Sequence, residues 1–181
     1  MKKKIIAIVP VRKGSKRIKN KNFKNFAGSS LFEIKLKSLK KVKLIDEIVV
    51  STDSDTAIKI AKKYNISFHS REKYFASAKC TNSEFFENLA KSIHGDFLMY
   101  TPCTAPLIKT QTIEKFLKKF LGVYPKFDSM NTINYVKEHL WLKKKPLNYN
   151  PLNSPNTQDL PDIMKLTYGI NIISRKKMIE K

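Results

Sequence analysis

The run Ile5-Ile6-Ala7-Ile8-Val9 is apolar without alternation, ends at Pro10, and opens into Val11-Arg12-Lys13-Gly14-Ser15-Lys16-Arg17. A short apolar run with no polar face fits a strand covered on both sides, the situation in a parallel sheet flanked by helices. Open sheets of that kind bind ligands in the loops at the carboxyl ends of their strands. Here the loop carries one glycine, one serine and four cations. Cations and free backbone N–H groups at such a place suit a polyphosphate. An edge strand running into a solvated basic turn has the same spelling, so the segment by itself leaves both readings open.

Beyond this loop the chain alternates between short apolar runs and longer amphipathic stretches. Strands are expected at residues 4–9, Glu47–Ser51, Ser67–His69, Asp96–Tyr100, Asp128–Val136 and Gly169–Ser174, and helices at Leu31–Lys40, Ser54–Tyr64, Ser83–Ile93 and Thr110–Leu121. The helices show apolar residues at three- and four-residue spacing, such as Ala57, Ile58, Ala61 and Tyr64. Ser54 or Asp55 can cap the second of them. Strands and helices in alternation predict an α/β fold with a doubly wound, mostly parallel sheet. A length of 181 residues suits a single domain over 1–181 with one sizeable core. The stretch from Lys143 to Pro161 departs from the pattern: prolines and Asn148, Asn150, Asn153 and Asn156 make it an extended excursion, too polar for core.

Charge and cysteine use narrow the classes. The formal net charge is +21, which would normally raise nucleic-acid binding. The excess is nearly all lysine spread along the chain, and arginine, the favoured reader of base edges, stands only at 12, 17, 71 and 175. A lysine-rich surface without a specific nucleic-acid partner is the expectation, with a field that favours an anionic substrate. No apolar run reaches the length of a membrane span, and the apolar stretch after Met1-Lys2-Lys3-Lys4 is too short for a secretory signal. A cytoplasmic location is therefore expected. Cys80 and Cys103 match no metal-ligand spacing and read as reduced thiols.

The loop Val9-Pro10-Val11-Arg12-Lys13-Gly14-Ser15-Lys16-Arg17-Ile18-Lys19-Asn20-Lys21-Asn22 resembles the signature of the acylneuraminate cytidylyltransferases, the CMP-sialic acid synthetases. Arg12, Ser15, Lys16, Lys21 and Asn22 fall on that family's positions, and Val11 stands where alanine is usual. Ile48-Val49-Val50-Ser51-Thr52-Asp53 is similar to the family's second signature, a strand ending in Ser-Thr-Asp. Helix capping by Ser51 through Asp55 demands the same short polar side chains, so both uses stay open there. Arg71 matches an arginine expected near the nucleotide. Thr101-Pro102-Cys103-Thr104-Ala105-Pro106-Leu107 corresponds to a Gln-x-Thr-Ser-Pro-Leu loop; Thr104, Pro106 and Leu107 fit, while the glutamine is replaced by Thr101 or Pro102.

The resemblance implies a Rossmann-like nucleotidyltransferase that moves CMP from CTP to a nonulosonic (sialic-type) acid. It implies Arg12 and Lys16 as catalytic cations. It implies Arg12, Gly14, Ser15, Lys16, Lys21, Asn22, Asp53, Arg71 and Thr104 as the nucleotide site. Residues 128–168 would include a dimerisation excursion, with Gln158 and Lys165 facing the sugar acid and a homodimer as the assembly. His139, beside Trp141, reads as a structural or interface residue before a base. Mg²⁺ is the implied cofactor, with ligands the sequence leaves unknown. The family's Asp-x-Asp pair is not matched after Ser174; Asp53-Ser54-Asp55 has that spelling at a different place, and Asp159 and Asp162 are loop carboxylates. The alternative expectation is a shortened homologue that binds CTP or a partner subunit without turnover.

Overall fold

The structure is a computed structural model describing residues 2–15 and 18–180. In chain order its elements are β1 (Ile5–Val11), β2 (Asn25–Phe26), β3 (Ser29–Ser30), α1 (Leu31–Leu39), β4 (Glu47–Thr52), α2 (Asp55–Lys63) and β5 (Ser67–Ser70). They continue with α3 (Lys73–Ala76), α4 (Asn82–Ser92), β6 (Phe97–Tyr100), α5 (Thr110–Val123) and β7 (Ser129–Val136). The chain ends through β8 (Trp141–Leu142), β9 (Lys145–Pro146), β10 (Ile163–Ser174) and α6 (Arg175–Glu180). Two compact units are present, one made of Met1–Asn131 with Gly169–Lys181 and the other of Thr132–Tyr168.

The main sheet has the order β5-β4-β1-β6-β10-β7. β5, β4, β1 and β6 run parallel, and β10 pairs with β6 antiparallel. This is the expected α/β fold with a doubly wound, mostly parallel sheet. The contiguous apolar run of β1 explains itself by burial on both faces. Ile5, Ala7, Val9 and Val11 pack with Phe32, Leu36, Ala57, Ala61, Ile113, Leu117 and Phe120 of α1, α2 and α5. Ile6 and Ile8 point the other way, into Phe85, Leu89 and Ala90 of α4 and Met178 of α6. Each fully buried Val, Leu, Ile, Phe or Met side chain of this kind is worth about 1.5–3 kcal/mol relative to exposure.

Helix starts follow local chemistry. Ser30 caps α1 by accepting from the Glu33 N–H at 3.2 Å, and Ser54 caps α2 by accepting from Ala57 N–H. α4 begins one residue before the expected Ser83 because Thr81 and Glu84 form a reciprocal capping box. β10 begins at Ile163, six residues before the expected Gly169. Residues 164–168 are exposed, so no burial pattern marks them, and in the second unit the hydroxyls of Thr132 and Thr167 pair at 2.8 Å. Among the described residues no helix is long and apolar enough to cross a membrane.

Candidate functional site

From β1 the chain moves to one side of the sheet, through β4 and β5, then returns to β6 on the other side of β1. The order therefore reverses between β1 and β6, and such a switch point leaves a crevice at the carboxyl ends of the two strands. A cleft of about 320 Å³ opens there. Arg12, Ser15, Lys21 and Asn22 line it from the segment after β1, Arg71 from the end of β5, and Thr104 from the loop after β6. The aromatic residues Phe75, Phe85 and Tyr100 supply an apolar wall. Three cations and no carboxylate line this cleft among the described residues, so its field selects an anion.

Most of the residues expected from the sequence thus come together. Gly14 adopts φ +75°, a left-handed conformation that glycine takes without strain, and lets the chain turn beneath Ser15. Asp53 fixes that turn from β4: its Oδ1 accepts the Lys13 N–H at 2.7 Å. Its role in the structure is support of the loop. Ser51 and Thr52 are fully buried and likewise used internally, Thr52 Oγ1 accepting from Ser54 N–H at 3.0 Å. Lys16 and Arg17 lie outside the described residues.

Arg71 is the most constrained cation of the cleft. It is 7% exposed, its Nε donates to Ser51 Oγ at 3.2 Å, and its Nη2 donates to Ser51 O at 2.7 Å. The guanidinium lies 4.5 Å from the Phe85 ring centroid. Burial lowers its pKa, opposed by Tyr100 and Asp53. Asn22 presents the complementary polarity: its Oδ1 is buried with no hydrogen-bond partner among the described residues. An orphaned buried acceptor is costly, and in a cleft it suits a ligand that brings a donor.

Two residues beside the cleft carry no signal in the sequence. Lys35, in the middle of α1, is 2% exposed. Its Nζ donates to Thr101 Oγ1 and to Ala105 O, each at 3.2 Å, and Thr101 Oγ1 donates on to Gly169 O. The lysine therefore staples both ends of the loop that carries Pro102, Cys103 and Thr104. Burial lowers the Lys35 pKa and pushes the neighbouring Cys103 thiol up to about 12. His69, half-buried on β5, has Nδ1 at 3.1 Å from Ser51 Oγ. Only the tertiary fold reveals either role, since a helix lysine and a strand histidine look like surface residues in one dimension.

In the second unit, His139 is held by its surroundings: Nε2 lies 3.1 Å from Ser154 Oγ and 3.2 Å from Pro155 O, and the ring packs edge-on to Tyr149 at 4.5 Å. The Trp141 indole N–H donates to Tyr149 Oη at 2.8 Å. Gln158 and Lys165 are exposed there, and Asp162 pairs with Lys137 at 2.7 Å. Among the described residues no three His, Cys, Asp or Glu side chains gather as a metal cage. Mg²⁺ is commonly bound by one or two carboxylates with substrate phosphates and water completing its shell. Asp53 is tied to the Lys13 N–H and does not line the cleft, so among the described residues no carboxylate is placed there to share such a shell.

The comparisons with known proteins agree with this architecture. A family model described as Cytidylyltransferase matches residues 6–152. An N-acylneuraminate cytidylyltransferase of Escherichia coli O18:K1:H7 is 33% identical over 97 residues, covering 54% of this chain and 23% of that protein. A pseudaminic acid cytidylyltransferase of Campylobacter jejuni is 27% identical over 130 residues, 68% of this chain and 56% of that protein. The chain thus spans between about a quarter and somewhat over half of the length of these relatives. Among solved structures, a CMP:2-keto-3-deoxy-manno-octonic acid synthetase complexed with CTP superposes with a TM-score of 0.70 at 15% identity, over 97% of this chain and 76% of that one. The fold is shared with that protein. With the family model extending from β1 through the cleft-forming strands and well beyond, this chain belongs to the cytidylyltransferase family.

Proposed function

We propose that this chain transfers CMP from CTP to a nonulosonic acid of the sialic or pseudaminic type. In the reaction, the anomeric hydroxyl oxygen bonds to the α-phosphorus of CTP. The bond from that phosphorus to the bridging oxygen breaks, the hydroxyl proton passes to water, and pyrophosphate leaves. Transfer of this kind depends mainly on positioning and charge neutralisation. The observation that carries the reading is the cationic cleft at the switch point between β1 and β6. Arg12 and Lys16 neutralise the triphosphate, helped by Lys21 and by backbone N–H groups around Gly14 and Ser15. Asn22, Arg71 and Thr104 hold the nucleoside monophosphate, and Asp53 keeps the loop in place. Mg²⁺ would come to the cleft with the CTP phosphates and would supply further neutralisation of charge.

The sugar class rests on the two relatives named for N-acylneuraminate and pseudaminic acid. Gln158 and Lys165 are assigned to the sugar acid, and a homodimer is the proposed assembly. The test is pyrophosphate release from CTP and Mg²⁺ with a panel of keto sugar acids: N-acetylneuraminate, pseudaminate, legionaminate and 3-deoxy-manno-octulosonate. Release with one of the first three supports the proposal, and release with the octulosonate alone moves the chain to another substrate class. Arg12→Ala should lower kcat/KM by about a hundredfold or more while leaving the thermal transition in place, the size of losing one preorganised charge contact. Unchanged turnover in Arg12→Ala removes the loop from the active site.

A further inference from the structure

Ser51 sits at the end of β4 with its hydroxyl completely buried, between a side chain that can only donate and one that can do either. Arg71 Nε–H is a donor without acceptor capacity, so the Ser51 oxygen must accept from it. The hydroxyl then has one proton left to place. Nδ1 of His69, 3.1 Å away, is its other partner. If Nδ1 carried a proton, the serine oxygen would accept twice and its own proton would be buried without an acceptor. An unmade buried hydrogen bond of that kind is the costly case. The arrangement that satisfies every group runs one way only: Arg71 Nε–H to Ser51 Oγ, Ser51 O–H to His69 Nδ1, with the imidazole neutral and protonated at Nε2.

We propose that His69 is a positioning residue for the nucleotide cleft, its unprotonated Nδ1 orienting the Ser51 hydroxyl so that the serine oxygen seats the Arg71 guanidinium. The proposal rests on the reading of the cleft as the CTP site. Among the described residues Arg71 has both of its side-chain anchors on Ser51, the hydroxyl and the carbonyl, and it lines the cleft from there. Disturbing the hydroxyl therefore releases one of the two bonds that set the plane of the guanidinium against Phe85. A proton added at Nδ1 does this directly, because two donors then converge on one oxygen and a second cation faces Arg71. The charged groups acting on His69 are Arg71, which opposes its protonation, and Glu72, which favours it; burial opposes it most. The neutral imidazole that the hydrogen-bond pattern requires is thus the form its surroundings favour, and the seat of Arg71 weakens as acid drives His69 to the charged form.

The test has a nucleotide-free arm and a binding arm. In the free protein, nitrogen NMR of the imidazole reads the His69 tautomer, and hydrogen exchange reads the protection of Arg71 Nε–H. The expectation is an unprotonated Nδ1 at neutral pH, and Arg71 protection that falls in acid relative to His69→Gln, whose side-chain carbonyl accepts from Ser51 at any pH. In the binding arm, the ratio of wild-type to His69→Gln dissociation constants for CTP should rise about tenfold between about pH 8 and about pH 5, the equivalent of one charge-assisted hydrogen bond. Referring each pH to the variant cancels titration of the CTP phosphates. His69→Leu, with no acceptor, should bind CTP more weakly than wild type at about pH 8, where Gln restores affinity. A protonated Nδ1 in the neutral protein, or a ratio flat across pH, overturns the proposal. If the NMR arm behaves as expected and CTP does not bind, the relay stands and the CTP reading of the cleft fails.

Discussion

A lysine inside a folded core usually comes with a carboxylate, and Lys35 comes without one among the described residues: its partners are a hydroxyl and a carbonyl. Replacing a lone buried ammonium with an apolar side chain of similar length removes the desolvation cost of that ion. Leaving the Thr101 hydroxyl and Ala105 carbonyl without their donor costs about 1–3 kcal/mol. The two effects nearly cancel, so Lys35→Met should stay close to wild-type stability at neutral pH. The loop carrying Thr104 loses its staple in that variant, and the KM for CTP should rise while the melting temperature barely moves. The pH dependence has a definite sign. Burial holds the folded-state pKa of Lys35 below its ordinary value of 10.5, so the unfolded chain binds the extra proton over the interval between the two values. Stability of the wild type therefore rises with pH through that interval, and urea unfolding of Lys35→Met over the same range should lack this increment.

At the scale of elements, close approach of backbone matters as much as side-chain fill. A Cβ placed on Gly95, just before β6, would come within 2.5 Å of Ile6 Cγ1, and Ile6 is fully buried on β1. Gly95→Ala must push that side chain into a filled core, a change that costs about 1–3 kcal/mol in overpacked sites. Chemical denaturation should show that loss, and with Ile6→Ala, which removes Cγ1, the two losses should be less than additive in the double variant. Thr81→Ala removes the α4 cap and should cost about 1 kcal/mol, with Thr81→Ser restoring it. These same elements show what a linear reading can reach. β1, β4 and β6 were legible because burial on both faces leaves an unbroken apolar run, and α1, α2 and α5 because one apolar stripe repeats. The first half of β10, the β2–β3 hairpin and the β8–β9 ladder are largely exposed, and exposed backbone pairing leaves no hydrophobic period to read. In the cleft, Arg12, Ser15, Lys21, Asn22, Arg71 and Thr104 were legible by resemblance of their loops. Lys35 and His69 were not, because their partners lie 66 and 18 residues away in the chain.

At the scale of the whole molecule, lysine and arginine divide the work. The net charge of +21 comes from lysines scattered along the chain, whereas arginines are few, and the three described ones have specific places. Arg12 and Arg71 line the cleft, and Arg175 anchors α6 by donating from Nε to Ala90 O at 2.7 Å. A diffuse lysine field attracts any polyanion, while a fixed guanidinium recognises one geometry. The two should separate by their response to salt. A single-stranded oligonucleotide held by the field should lose affinity steeply, with a slope of about −0.7 in log–log terms for each phosphate contacted. CTP in the proposed site would have only its own phosphates to shed counterions and would lie partly against buried groups, so its slope should be shallower. Arg12→Ala should weaken CTP binding markedly and leave the oligonucleotide curve where it was, since removing one of many surface charges hardly changes the field. Oligonucleotide affinity that depended on base sequence and survived moderate salt would require a base-reading surface, and the assignment of the lysine excess to general attraction would then be wrong.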